Sequence, residues 1–259
     1  MAIWLGERYA VTITPSLALT SLTSREKAPI YGKESLIRAG ATEFANGLAP
    51  LPMVAQELTT IAREDGGTVL LNQAFNANSL LKVLADPAVK RIHIASHAEL
   101  KPGKEADALI YTSSNSVGLK ELGQLRQRSG DQGLDLVSLS ACRSAVSGSD
   151  LELGFAGMAI QLGAKSAIGT KWYVDDLATS SFFVQFYRYL DQGIPKAEAI
   201  QMTQKAFLSG EVHLQGDKVV GSGGSTLMDG LTAAQQRRYA GGFSHPYFWA
   251  AVQLIGSPW

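Results

Sequence analysis

The chain has 259 residues, 46% hydrophobic and 18% charged, the profile of a globular protein with material for a large core. Its 23 basic residues balance 23 acidic ones, which leaves no electrostatic footprint for nucleic acid or an anionic membrane surface. A single cysteine excludes a disulfide framework and any multi-cysteine metal site, so neither a metal nor a cofactor is expected. No apolar run reaches the ~20 residues of a membrane span, and "MAIWLGERYAVTI" carries an acid where a secretion signal begins with a base. The expected location is the cytoplasm.

In chain order, "YAVTI" (9–13) reads as a first strand and "LPMVAQELTTIARE" (51–64) as a first helix, followed by the strand "GTVLLN" (67–72) and the helix 76–86. The strands "RIHIAS" (91–96), "DLVSLS" (135–140) and "KSAIGT" (165–170) are apolar enough to be central ones. Helical spacing recurs over 151–164, 177–192 and 194–209, and the chain closes on a strand, "YFWAAVQLIG". Alternating strands and helices predict a three-layer α/β sandwich around a mainly parallel sheet, in one domain over 1–259. Residues 210–244, rich in glycine, read as a flexible insertion before the last strand.

Open α/β sheets bind and react at the carboxyl ends of their strands. Two strands end on reactive side chains: "RIHIASH" at His97 and "DLVSLSAC" at Cys142, the sole cysteine. If they are parallel neighbours, imidazole and thiol emerge at one edge, where the imidazole can take and return the proton of a nucleophilic thiol. The competing reading is a buried cysteine acting as a small hydrophobe. His93, inside its strand, reads as a hydrogen-bonded packing residue. His213 reads as solvated, and His245 as part of a turn set by Pro246. Ser138 and Ser140 lack the glycine-flanked elbow of a serine hydrolase, and the glycines of "GSDLELGFAGMAIQLG" match no phosphate loop.

"RIHIASH", "DLVSLSAC", "LGFAGMAIQLGAKSAIGTKWYVDD", "FYRYL" and "HPYFWAAVQLIG", in that order, resemble the successive signatures of the CHAT family, caspase-related peptidases often joined to tetratricopeptide repeats. The resemblance runs from about "YAVTITPS" to the end of the chain. It implies a caspase-like fold and a cysteine endopeptidase acting on a polypeptide substrate, with Cys142 as nucleophile and His97 as catalytic histidine. Backbone N–H groups of Ala98 and Cys142 would then meet the oxyanion, at ~3 kcal/mol per donor. The family usually has glycine where this chain has Ala98, which at positive φ would carry a penalty of roughly 1 kcal/mol.

The resemblance also places Asp175, Asp176 and Trp172 near the pocket for the residue before the cleaved bond, where a carboxylate favours lysine or arginine. The acids read equally as caps of the following helix, and the tryptophan as core. An upstream repeat region or a separate regulatory partner is expected to supply recognition, and the oligomeric state is monomer or dimer. A scaffold that keeps the fold without catalysis, or a small-molecule thiol hydrolase or acyltransferase, stand as alternatives.

Overall fold

A computed structural model describes residues 5–14, 31–32, 35–65, 67–99, 109–118, 133–140, 160, 163–172 and 174–259. In chain order these form α1 (Leu5–Arg8), β1 (Leu36–Gly40), α2 (Val54–Asp65), β2 (Thr68–Leu71), α3 (Ala77–Leu84), β3 (Arg91–Ala95), β4 (Ala98–Glu99), β5 (Leu109–Tyr111), β6 (Ser116–Gly118), β7 (Leu136–Ser140) and β8 (Ser166–Thr170). The remainder comprises α4 (Asp176–Asp191), α5 (Lys196–Leu208), β9 (His213–Gln215), β10 (Lys218–Val220), β11 (Thr226–Met228), α6 (Ala233–Arg238) and β12 (Val252–Gly256). None of the described helices is long and apolar enough to cross a membrane.

The main sheet runs β12-β8-β7-β3-β1-β2, parallel throughout except β12, which is antiparallel to β8. Helices cover both faces, so the chain is the three-layer α/β sandwich that its alternating pattern predicts. Side chains alternate across each strand. Leu36, Leu136 and Ile168 point toward α2, α4 and α5, forming one core with Ile61, Phe182, Phe183 and Phe207. Ile37, Ala39, Ile92, Ile94 and Leu139 point the other way, toward Leu80 and Leu84 of α3 and toward Ala98, Ile110 and Val117 of the small β4-β5-β6 sheet. Helix α4 is buried along most of its length, which accounts for its nearly continuous apolar and small sequence.

The structure departs from the sequence reading at four places. "YAVTI" is no strand of the sheet: Ile13 makes a lone parallel bridge to Ile255, because α1 precedes the segment and Pro15, without an N–H, follows it. β1, "LIRAG", is a central strand that the sequence hides behind the charge of Arg38. Residues 210–244, expected as a flexible insertion, contain the antiparallel sheet β11-β10-β9 and α6, and bury Val219, Leu227, Met228 and Tyr239 against the α4 core. The two-residue loop Gly216–Asp217 makes the hairpin, with Gly216 at φ 63°. The last strand is also shorter than expected, since residues 246–248 form a 3-10 turn opened by Pro246. The proposed helix over 151–164 lies almost wholly outside the described residues.

Candidate active site

β3 and β7 are parallel neighbours, with Ala95 in register with Ser140. His97 follows Ala95 by two residues in sequence and Cys142 follows Ser140 by two, and the strand ends that precede them, Ala95 and Ser140, lie on matched rungs at one edge of the sheet. Cys142 itself lies outside the described residues.

His97 is held on three sides. Its backbone is clamped where Ser96 N–H donates to Ser140 O (3.2 Å) and Tyr111 N–H donates to His97 O (2.9 Å). Its ring, buried and 4.7 Å from that of Phe44, donates through Nε2 to Ala49 O at 2.8 Å. A carbonyl only accepts, so Nε2 carries the proton, and in the neutral ring the basic lone pair is on Nδ1. The loop carrying Ala49 is tied down in turn: Leu51 N–H donates to Thr42 O, and the Thr42 N–H and hydroxyl both donate to Asn72 Oδ1. Asn72 sits at φ 53°, a conformation asparagine tolerates better than most residues. Close packing beneath the loop requires glycine at position 40, where a Cβ would lie 2.5 Å from Ala95 O and 2.7 Å from Val54 Cγ1. Phe44, Ala49 and Asn72 are supports that sequence reasoning misses. The contribution of Ala49 is a main-chain oxygen, which leaves no signal in residue type.

Ala98 lies in β4, opposite Ile110. Among the described residues the only non-glycine at positive φ is Asn72, so alanine carries no conformational penalty here. The Tyr111 to His97 bond makes Ala98 and Ile110 a non-hydrogen-bonded pair of the ladder, which turns the Ala98 N–H away from β5.

Beside His97 opens a cavity of about 250 Å³, walled by the Pro50–Met53 turn, the start of α4 from Val174 to Leu177, and Gln235, Arg238 and Tyr239 of the α6 region. Asp175 and Asp176 both reach it, and both also serve the helix start. Asp175 caps α4, accepting from Ala178 N–H at 3.1 Å; it further accepts from the Tyr239 hydroxyl (2.7 Å) and Arg238 Nη2 (2.8 Å). Asp176 Oδ2 accepts from Met53 N–H at 3.0 Å. Burial pushes the Asp176 carboxyl up to about 7, helped by the nearby Glu57 and Asp175 and opposed by the Met53 N–H. Trp172 is half-buried, donates from Nε1 to Tyr247 O at 3.2 Å, and is not part of the cavity wall.

His93 is wholly buried and lies 2.7 Å through Nε2 from Glu57 Oε1 of α2, while Glu57 Oε2 accepts from the Ser180 hydroxyl of α4 at 2.7 Å. It is the hydrogen-bonded packing residue that its place inside the strand suggests. His213 is exposed, and His245 opens the 3-10 turn by accepting from Tyr247 N–H. Among the described residues no group of three or more His, Cys, Asp or Glu side chains is placed to hold a metal ion.

The sequence model of the CHAT domain matches residues 2–257. Solved structures similar to this chain include caspase-1 from Spodoptera frugiperda, at 9% identity and TM-score 0.42 over 70% of this chain and 80% of that one. The Drosophila initiator caspase Dronc is similar at 10% identity and TM-score 0.44, over 83% and 87%. No curated protein sequence matched.

Proposed function

Because the chain belongs to the CHAT domain family, we propose that it is a cysteine endopeptidase in which Cys142 is the nucleophile and His97 its acid-base partner. The observation that carries this reading is the pairing of Ala95 with Ser140, the strand residues that His97 and Cys142 each follow by two positions in sequence. The bond from His97 Nε2–H to Ala49 O supports it, because it fixes the tautomer whose Nδ1 can accept a proton.

In this mechanism the Cys142 thiol gives its proton to His97 Nδ1 and the thiolate attacks the carbonyl carbon of the scissile peptide bond. The electron pair displaced onto oxygen is met by the N–H groups of Ala98 and Cys142; the orientation of the Ala98 N–H, away from β5, suits that role. Collapse of the tetrahedral adduct breaks the carbon–nitrogen bond, and the imidazolium protonates the departing amine. Water, deprotonated by the returned neutral imidazole, then attacks the thioester, and the thiol is regenerated as the acid product leaves. The cavity beside His97 receives the side chain before the scissile bond. The substrate is a polypeptide, and an upstream repeat region or a separate partner supplies target recognition.

The test uses the lone cysteine. Alkylation of Cys142 is followed against pH in the native protein and in His97→Ala, alongside cleavage of a peptide library with Cys142→Ala as blank. The expected result is reaction well below the ~8.5 of a free thiol, lost without His97, and cleavage reduced by ~10²–10⁴ in His97→Ala and abolished in Cys142→Ala. A thiol that reacts identically with and without His97, together with no library cleavage, sinks the peptidase reading in favour of a binding scaffold. Hydrolysis of small thioesters or esters without peptide cleavage would move it to a small-molecule hydrolase.

A further inference from the structure

We infer that Arg238 sets the charge preference of the cavity beside His97, by occupying the carboxylate that a basic substrate side chain would otherwise reach; the inference rests on the peptidase reading. An acid in such a cavity ordinarily selects lysine or arginine. Here three donors already meet the Asp175 carboxylate. Oδ1 accepts from Ala178 N–H and from the Tyr239 hydroxyl, which also reaches Oδ2, and Oδ2 accepts from Arg238 Nη2 at 2.8 Å. The burial of the pair is lopsided: the Asp175 side chain is 3% exposed and that of Arg238 is 69% exposed. The arginine lies between the acid and solvent, where an incoming cation would sit.

The guanidinium is delivered by a well-anchored element. α6 begins with a reciprocal Thr232–Gln235 capping box, and Tyr239 at its end is buried, stacked on Phe243 at 5.3 Å. The carboxyl of the other acid on the wall, Asp176, is pushed up to about 7 by burial, and Glu57 behind it is engaged with His93 and Ser180. One carboxylate is therefore neutralised from within and burial favours the protonated form of the second, while Pro50, Leu51, Met53, Val174 and Leu177 supply apolar wall. The cavity as built takes an uncharged side chain before the scissile bond. Removing the guanidinium uncovers Asp175, still held in place by Ala178 N–H and the Tyr239 hydroxyl, and converts the cavity to one that selects a base.

The experiment profiles peptide-library cleavage by the wild type, Arg238→Ala, Arg238→Gln and Arg238→Lys, and measures benzamidine binding by calorimetry to each in a Cys142→Ala background. Expected are wild-type cleavage after uncharged residues and a shift of roughly tenfold or more toward lysine and arginine in Arg238→Ala and Arg238→Gln. Arg238→Lys, which keeps the ion pair, keeps the wild-type profile. Benzamidine binds the Ala and Gln variants and not the wild type, and adding Asp175→Asn removes that gain. A wild type that already prefers basic residues, or Ala and Gln variants with unchanged profiles, overturns the inference. Should no variant cleave any peptide while benzamidine still distinguishes Arg238→Ala from the wild type, the peptidase reading fails and the role of Arg238 stands. Equal benzamidine binding by all forms removes that role whatever the cleavage result.

Discussion

The two faces of the main sheet are buried by different chemistry. Toward α3 and the small sheet, Ile37, Ala39, Ile92, Ile94 and Leu139 enter an apolar cluster, and the attraction there is proportional to area and indifferent to direction. Toward α2 and α4 the middle rung is polar: Arg38, His93 and Ser138 stand side by side on three adjacent strands and all are fully buried. The helices answer residue by residue, Glu57 with His93, Ser180 with Glu57, and the Tyr187 hydroxyl with Ser138 at 3.1 Å. Buried polar groups are tolerated when such partners exist, and the partners then fix how the elements sit. That matters because the same two helices frame the cavity: the Pro50–Met53 turn leads into α2, and Asp175 and Asp176 open α4. The apolar face holds the sheet together, and the polar face sets the position of the cavity wall.

The sharpest way to break this contrast is Glu57→Ala, which strands the His93 imidazole and the Ser180 hydroxyl in a dry core. Loss of one partner from a buried pair costs ~3–5 kcal/mol, read from urea unfolding, and Glu57→Gln should restore part of it. Asp176→Asn tests the edge of the same network. With its folded pKa raised from 3.8 to about 7, Asp176 holds a proton in the folded protein that the unfolded chain has released. The stability associated with the neutral form is fully present below ~4 and is lost as pH rises toward 7. The Asn variant should therefore match the wild type at pH 4 and exceed it by ~2–4 kcal/mol at pH 8, measured as the difference between their denaturation midpoints. On the apolar face Ile92→Val removes one methylene and should cost only ~1 kcal/mol, with no pH dependence. A Glu57→Ala variant no less stable than Ile92→Val would show that the polar rung is incidental.

How much of this the sequence discloses follows the same division. The strands that precede His97 and Cys142 in sequence are legible because their apolar, β-branched runs are continuous and bounded by polar residues: the sequence reading is 91–96 and 135–140, against Arg91–Ala95 and Leu136–Ser140 in the structure. β1 is illegible because a five-residue run with an arginine at its centre resembles no buried strand, and only the opposing helices explain how Arg38 is accommodated. The segment 210–244 misleads through its glycines, although the Gly216–Asp217 pair between "HLQ" and "KVV" is a hairpin signal. At the site, His97 is visible as a residue and its anchor Ala49 is not, since a carbonyl oxygen belongs to every residue. Asp175 and Asp176 are legible as acids opening a helix, and what sequence withholds is the arginine 63 residues farther along that meets the first of them.

The parallel bridge of Ile13 beside β12 also carries a mechanical meaning. Ile13 N–H donates to Leu254 O and Gly256 N–H donates back to Ile13 O, while the Thr12 hydroxyl donates to Gly256 O. Because the two segments run in the same direction, a pull on residue 11 toward the start of the chain and on residue 257 toward its end is directed along the strands. The bonds are then loaded together in shear instead of opening one after another like a zipper, so this edge of the sheet resists tension applied between residues 12–13 and β12.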